Sequence, residues 1–270
     1  MNNALKGSHV LVTRPAHQAE NLCRLIEQQG GIAIRFPTLE IVGMDTPLDN
    51  PPDNPAIATN PLSKLSNCCW LIFISANAVN FALKANGGKI ADFKATRIAA
   101  IGQATARELQ LSGLQVDLIP NAGFDSEALL AMPDMQQVDG QDILIIRGQG
   151  GREELANVLR SRGVNVSYWE VYQRIMPSID TTEVVDLIEQ CKLDAIIVTS
   201  CEALQNLLTM LGSNYKNKLT MIPLVVISDR MRRLAVEIGF TQIAVAESPS
   251  GQAILDTVCA LINSAVKNGE

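Results

Sequence analysis

The sequence predicts an α/β protein of two similar lobes, each a parallel sheet flanked by helices. Short apolar runs without internal alternation recur along the chain, and segments with helical periodicity separate them. Strands that are buried on both faces, as in helix-covered parallel sheets, produce such runs. The order of the units repeats after about 125–135 residues, a period far longer than that of a solenoid. At 270 residues the chain also exceeds the usual size of a single domain.

Six apolar runs are predicted to be buried strands, in chain order 9–13, 71–75, 98–102, 143–147, 195–200 and 224–228. The stretches "IRFPTLEIVG" and "VSYWEVYQRI" are each open to two interpretations, another core strand or a connector between lobes. Gly113 and Gly239 follow helical patterns and are predicted helix C-caps. Segment 45–61 holds five of the twelve prolines and is predicted to be a surface loop.

Composition narrows the class of protein. A net charge of −6 argues against a general nucleic-acid binder, although it is compatible with an anionic small ligand. No apolar run approaches the roughly 20 residues that span a bilayer, and the first residues lack the pattern of a signal peptide, so we expect no membrane segment and a cytoplasmic location. The six cysteines are expected to be buried free thiols, and two histidines are few for a zinc site. We therefore expect neither a metal ion nor an organic cofactor.

Two serines lie where a predicted strand gives way to a helix. Ser75 in "FISANAV" and Ser200 in "VTSCEAL" occupy equivalent places in the two repeats. Ligands of open parallel sheets bind beyond the carboxyl ends of the strands, where helix N-termini present unpaired amides. Each serine can cap its helix, bind an anion, or do both.

Two arginines and a tyrosine are further candidates. Arg14 and Arg147 directly follow equivalent strands, where a guanidinium can bind a substrate carboxylate or pair with a carboxylate of the protein itself. Tyr172 lies in the second extended stretch, and a phenol there can donate a hydrogen bond, assist as an acid or simply pack.

Two other kinds of site are disfavoured. Neither Ser75 nor Ser200 lies in the G-x-S-x-G pattern, and both histidines come early in the chain, so a hydrolase triad is not expected. The "RGQGG" stretch that begins at Arg147 superficially resembles a phosphate-binding loop. It lacks both the Walker lysine and the G-x-G-x-x-G order, which argues against nucleotide binding.

Seven stretches are specific in their order and spacing, although no single one is decisive: "LVTRP", "FPTLEI", "FISANAV", "AAIGQATARELQLSGLQV", "LIIRGQGGREELANVLRSRGVNV", "EVYQR" and "VTSCEAL". Together they resemble the uroporphyrinogen-III synthase family over nearly the whole chain. The resemblance implies two α/β lobes joined by a two-stranded linker. The lobes would be 1–37 with 173–270 and 42–168, and the linker strands 38–41 and 169–172. Flexible closure of the lobes is then expected, since a narrow linker leaves little interface to resist it.

The resemblance also implies a reaction. The family closes the linear tetrapyrrole hydroxymethylbilane, which carries eight carboxylates, into uroporphyrinogen III without metal or cofactor. The hydroxyl of ring A is lost to give an azafulvene, and ring D, attacking through its substituted carbon, is inverted by way of a spiro intermediate. Tyr172 matches the family's tyrosine and is the candidate for assisting loss of the hydroxyl. The candidates for binding substrate carboxylates are Arg14, Ser75, Asn77, Gln103, Thr105, Arg147, Thr199, Ser200 and Ser228.

Two alternatives come from other classes of protein. One is a bilobed protein that binds an anionic solute, or regulates, without catalysis; it would close on ligand and not turn over hydroxymethylbilane. The other is a sugar-nucleotide transferase with two similar lobes, which would bind a nucleotide tightly. A monomer is the default expectation, together with a transient contact with hydroxymethylbilane synthase and no nucleic-acid or membrane partner.

Overall fold

The computed structural model describes residues 3–44, 68–88, 93, 96–120 and 125–267. The chain divides into two compact units. The first unit is Met1–Glu40 with Ile175–Glu270, and the second is Ile41–Arg174. The predicted loop 45–61 lies outside the described residues.

The first unit contains a five-stranded sheet among its described residues, in the order β10-β9-β8-β1-β2. The neighbouring pairs β1–β2, β1–β8, β8–β9 and β9–β10 are all parallel. The strands are β1 (His9–Val12), β2 (Ile32–Arg35), β8 (Leu193–Ile197), β9 (Leu224–Val226) and β10 (Ile243–Val245). The helices are α1 (Ala16–Gln28), α6 (Thr182–Glu189), α7 (Cys201–Leu211), α8 (Lys216–Leu219), α9 (Asp229–Ile238) and α10 (Gly251–Lys267).

The second unit contains a second five-stranded sheet in its described part, in the order β3-β7-β6-β4-β5. The pairs β4–β5, β4–β6 and β6–β7 are parallel. The strands are β3 (Glu40–Gly43), β4 (Trp70–Phe73), β5 (Arg97–Ala100), β6 (Asp142–Gly148) and β7 (Asn165–Ile175). The helices are α2 (Ala76–Ala85), α3 (Gln103–Leu111), α4 (Ser126–Leu130) and α5 (Glu154–Ser161).

Each sheet is covered by helices on both faces. In the first unit one apolar cluster joins the sheet to α6, α7, α8 and α9, and the other joins it to α1 and α10. In the second unit α2 and α3 pack on one face and α4 and α5 on the other. All four residues of β4 are buried as a result. This double coverage is the reason that the strands show no alternation in the sequence.

The six predicted strands are confirmed, and their observed ends lie within three residues of the predicted ones. The largest difference is at their carboxyl ends, because Ser75, Ser200 and Ser228 leave the strand to cap the next helix. Strand β10 was not predicted, and its three residues are only partly buried or exposed. Gly239 is the left-handed C-cap of α9, with φ 116°. Gly113 also has positive φ, 79°, just beyond the C-cap of α3.

Both extended stretches of uncertain interpretation contain strands. "IRFPTLEIVG" includes the end of β2 and the whole of β3, and "VSYWEVYQRI" lies within β7. The chain passes from one unit to the other at residues 40–41 and 174–175, near the ends of β3 and β7. Core strand and connection between units therefore occur within the same stretches.

The expectation of buried cysteines is wrong for most of the six, all of which lie in the described part of the chain. Only Cys23, on the inner face of α1, is buried. Cys69 and Cys191 are exposed, and the latter lies in the turn after α6 with φ 53°. The prediction fails because several of the cysteines lie at the ends of helices or strands rather than within the apolar runs themselves. Across the described helices, none is long and apolar enough to span a bilayer.

Candidate active site

Each sheet has a topological switch point, where the connections from two adjacent strands leave in opposite directions. In the first unit this point lies between β1 and β8, because β2 follows on one side and β9 on the other. In the second unit it lies between β4 and β6, with β5 and β7 outside them. Ligands of open α/β sheets bind beyond the carboxyl ends of the strands at such points. Ser75 and Ser200 follow β4 and β8, so the sequence candidates lie at these positions.

Ser75 caps helix α2 in the second unit. Its backbone is extended, with φ −166° and ψ 159°, and its Oγ accepts a 3.0 Å hydrogen bond from the N–H of Ala78. Asn77 lies in the first turn of α2, where both residues are half-buried. The cap satisfies one of the amides that a helix leaves unpaired at its N-terminus, and the partial positive charge of that end remains available to an anion.

The hydroxyl of Tyr172 pairs with Ser75. The two oxygens lie 3.2 Å apart, and either can donate. Tyr172 is 3% exposed, and its ring lies 5.7 Å, centroid to centroid, from the ring of Phe81 on α2. Since Ser75 Oγ already accepts from Ala78, its own proton is free to be donated to the phenol oxygen. In that arrangement the phenol proton points away from Ser75.

Two further candidates lie on α3, which follows β5. Gly102 is its N-cap and supplies no side chain to the cap. Gln103 is exposed, whereas Thr105 is buried, with 3% of its surface exposed. The amides of this helix start and the Gln103 side chain are therefore the accessible polar groups among these candidates.

Arg147, at the end of β6, is held by carboxylates of its own unit. Its side chain is 5% exposed, and it pairs with Glu153 at 2.8 Å and Glu170 at 3.3 Å. It also donates to the carbonyl of Gly151, and its guanidinium lies 4.2 Å from the ring centroid of Tyr168. The internal salt bridge that the sequence left open is thus present, and two carboxylates of the protein itself compensate the charge of this arginine.

In the first unit, two strands are also followed by a serine that caps the next helix. Ser200 Oγ accepts a 3.0 Å hydrogen bond from the N–H of Ala203, and Ser228 Oγ accepts one of 3.4 Å from Met231. Thr199 precedes Ser200 and is half-buried. Strands β8 and β9 are neighbours, so the two capped helix starts lie at the same edge of the sheet.

Arg14, at the end of β1, has a different environment from Arg147. Its Nη2 donates a 2.7 Å hydrogen bond to the carbonyl of Pro249, in the loop before α10. Burial lowers the pKa of its guanidinium. No carboxylate of the described residues lies within ion-pair distance of it. Its charge is therefore available to an anionic ligand to a greater extent than that of Arg147.

Sequence reasoning missed one further hydroxyl cap. Ser250 Oγ accepts a 3.2 Å hydrogen bond from the N–H of Ala253 at the start of α10, next to the carbonyl that Arg14 contacts. A serine before an apolar helical pattern, "SGQAILDTVCALI", was the available signal. It was overlooked because the preceding strand β10 was not predicted.

Comparison with known proteins adds to this geometry. A family model described as "Uroporphyrinogen-III synthase HemD" matches residues 20–256. The uroporphyrinogen-III synthase of Escherichia coli K12 is 32% identical over 91% of this chain and 98% of its own length. That of Salmonella typhimurium LT2 is 33% identical over 91% of this chain and 98% of its own length. The chain belongs to the uroporphyrinogen-III synthase family.

Solved structures of uroporphyrinogen-III synthases share the fold. A mutant uroporphyrinogen III synthase from Thermus thermophilus covers 96% of this chain and is itself covered completely, with a TM-score of 0.61 and 16% identity. The Helicobacter pylori protein covers 94% of this chain, 99% of it is matched in return, and the TM-score is 0.59 at 16% identity. The predicted α/β class with parallel sheets flanked by helices is confirmed.

The ion pairs of Arg147 with Glu153 and Glu170 predict how the stability of the second unit depends on pH. The hydrogen bond from Tyr168, and then that from Arg147, hold the pKa of Glu153 below its usual range. A carboxylate with a lowered folded pKa stabilises the fold above its unfolded pKa, about 4.3, and loses this contribution as the pH falls through the folded value. We expect Glu153→Gln to lower the free energy of unfolding by about 1 kcal/mol at neutral pH. The difference from the wild type should shrink toward zero at low pH.

The measurement is urea unfolding at several pH values, followed by fluorescence. Both tryptophans, Trp70 and Trp169, lie in the second unit and report on it. Glu154→Gln, at an exposed neighbouring carboxylate, is the matched control. A Glu153→Gln effect that is the same at neutral pH and at the acid end of the range would contradict the assignment.

Proposed function

We propose that this protein is a uroporphyrinogen-III synthase, which cyclises hydroxymethylbilane to uroporphyrinogen III with inversion of ring D and loss of water. The observation that carries the proposal is the family match over residues 20–256, together with relatives of that name aligned over nearly their whole length. The reaction places the protein in tetrapyrrole biosynthesis. A binding protein without catalysis is not favoured by any of these relatives.

The capped helix starts support the binding of a polyanionic substrate. We propose that substrate carboxylates bind at the carboxyl ends of the strands in each unit, through amides and hydroxyls at the starts of α2, α3, α7 and α9. The side chains proposed for this task are Arg14, Ser75, Asn77, Gln103, Thr105, Arg147, Thr199, Ser200 and Ser228. Arg14 is a stronger candidate for binding a substrate carboxylate than Arg147, because no carboxylate of the described residues forms an ion pair with it.

Tyr172 is proposed to assist departure of the ring A hydroxyl. Its proton would pass to the hydroxyl oxygen as the carbon–oxygen bond breaks, so that water leaves and the azafulvene remains in its N-protonated, cationic form beside the phenolate. The phenolate would be stabilised by the hydrogen bond from Ser75, 3.2 Å away, and by the N-terminus of α2. After ring D has attacked and the spiro intermediate has rearranged, the proton lost from the substrate would return to the phenolate. The chain's main contribution is then orientation of ring D.

The organisation of the chain is part of the same proposal. We propose lobes 1–37 with 173–270 and 42–168, with residues 38–41 and 169–172 as linker strands close to the two places, 40–41 and 174–175, where the chain passes between the compact units. We also propose that the protein acts as a monomer in the cytoplasm, with no metal or cofactor in the reaction. A transient contact with hydroxymethylbilane synthase would shorten the time in which the unstable bilane closes spontaneously to the type I isomer.

The isomer ratio of the product tests the proposed function. Freshly generated hydroxymethylbilane is incubated with and without the purified protein, and the products are oxidised and separated by chromatography. We expect predominantly uroporphyrin III with the protein and uroporphyrin I without it. Type I alone, formed at the uncatalysed rate, would remove the synthase assignment and favour a binding protein.

Tyr172→Phe tests the acid role. Removal of the hydroxyl keeps the ring and is expected to lower kcat by about a hundredfold to ten-thousandfold, the range that general acid assistance typically contributes. Tyr215→Phe, in the first unit and outside the proposed site, is the control and should retain full activity. Wild-type kcat in a folded Tyr172→Phe protein would assign the hydroxyl to packing alone.

Ser200→Asp separates capping from anion binding. Aspartate caps helices about as well as serine, so the free energy of unfolding should change by less than about 0.5 kcal/mol. Its negative charge should repel substrate carboxylates and raise KM by about tenfold, the equivalent of roughly 1.4 kcal/mol. The control is Asp125→Ser, the reverse exchange at the cap of α4, which should leave KM unchanged. An unaltered KM in Ser200→Asp would show that Ser200 only caps α7.

A further inference from the structure

Gly148 lies directly against the ring of Tyr172. A Cβ atom built on this glycine would come within 2.5 Å of the Cζ atom of the ring and 3.0 Å of Cδ2. These separations are far shorter than a carbon–carbon contact at optimal distance, about 3.5–4.0 Å. The glycine is therefore required for space, and not for a left-handed backbone, since its φ is not among the positive values.

The backbone beside Gly148 also holds the tyrosine. Gly148 and Tyr172 are register partners in the β6–β7 pair, where the register shifts between Arg147 and Gly148. The N–H of Gln149 donates a 2.8 Å hydrogen bond to the carbonyl of Tyr172. On another side the ring contacts Phe81, and its hydroxyl reaches Ser75.

We propose that Gly148 is a positioning residue for the reaction: the absence of a side chain at 148 lets the ring of Tyr172 take the place from which its hydroxyl pairs with Ser75. The Arg147 salt bridges with Glu153 and Glu170 fix the strand end that carries this glycine. The "RGQGG" stretch superficially resembles a phosphate-binding loop. On this proposal its task is instead to leave space for the phenol ring of Tyr172. This inference rests on the proposed function only for its catalytic consequence.

The position of the ring can be tested without turnover. The chain has three tyrosines, so 13C-labelled tyrosine gives few ring signals, and the one lost in Tyr172→Phe belongs to Tyr172. We expect Gly148→Ala to shift the Tyr172 signal and to leave that of Tyr215 in place. The matched control is Gly151→Ala in the same loop, whose Cβ would lie 3.4 Å from the nearest atom, Nε of Arg147. It should leave the Tyr172 signal unshifted.

The catalytic consequence is measured as a split between kcat and KM. Gly148→Ala should lower kcat by about tenfold to a hundredfold with KM changed less than about threefold, because a misplaced group affects the transition state rather than substrate binding. In the double variant with Tyr172→Phe, kcat should fall little below that of Tyr172→Phe alone, since both changes remove the same hydroxyl function. Gly151→Ala should stay within about threefold of the wild type.

Each outcome decides a different point. An unshifted Tyr172 signal in Gly148→Ala would overturn the inference whatever the wild type catalyses. Full kcat in Gly148→Ala, beside a lowered kcat in Tyr172→Phe, would overturn the positioning role of Gly148 in the reaction. If the Tyr172 signal shifts in Gly148→Ala but the wild type makes no type III isomer, the position of the ring against Gly148 is supported and the proposed function is overturned. If Gly148→Ala fails to fold, Gly148→Ala with Tyr172→Ala should fold as well as Tyr172→Ala alone, because the clashing ring is gone. If the double variant folds less well than Tyr172→Ala alone, the ring of Tyr172 is not what Gly148 accommodates.

Discussion

Burial of both faces of each parallel sheet is the constraint from which the candidate site follows. Strands covered by helices on both sides can expose polar groups only at their ends, and the carboxyl end is where the chain enters a helix. A helix start leaves amides unpaired, and a serine at the cap satisfies one of them. Ser75, Ser200 and Ser228 meet this requirement at the ends of β4, β8 and β9. The same geometry that ends a strand thus creates a place for an anion.

Much of the fold was predictable for this reason. Uninterrupted apolar runs identify strands that are buried on both faces, and all six such runs are strands. The signal fails where a strand is short and only partly buried, as in β10 with Ile243, Ala244 and Val245. It also overestimates strand length where the last residue is a helix cap. Burial of individual cysteines could not be read from apolar neighbours, because Cys69 and Cys191 lie where an element starts or ends.

The residues of the candidate site could be predicted from the sequence, but the contacts between them could not. Ser75 and Tyr172 are separated by 97 positions, and the β4–β6 and β6–β7 pairings together bring the phenol to the serine. Arg14 and Arg147 occupy equivalent places in the repeats, and no local pattern distinguishes them. Their environments differ because Glu170, on β7, completes a carboxylate pair around Arg147. Arg14 donates to a carbonyl of the loop before α10, and no carboxylate of the described residues forms an ion pair with it.

Under the proposed function, the divergence of the two repeats favours the second unit as the one that assists loss of the hydroxyl. At the offset of the first repeated unit, Pro15 and Leu39 stand where the second copy has Gly148 and Tyr172. A proline in place of that glycine fills the space against which the phenol ring packs, and a leucine at the other position has no proton to transfer. The described part of the first unit therefore retains serine caps and an arginine, and no phenol is paired with a serine there. Under the proposed function, the first unit binds carboxylates, whereas the second binds them and also assists loss of the hydroxyl.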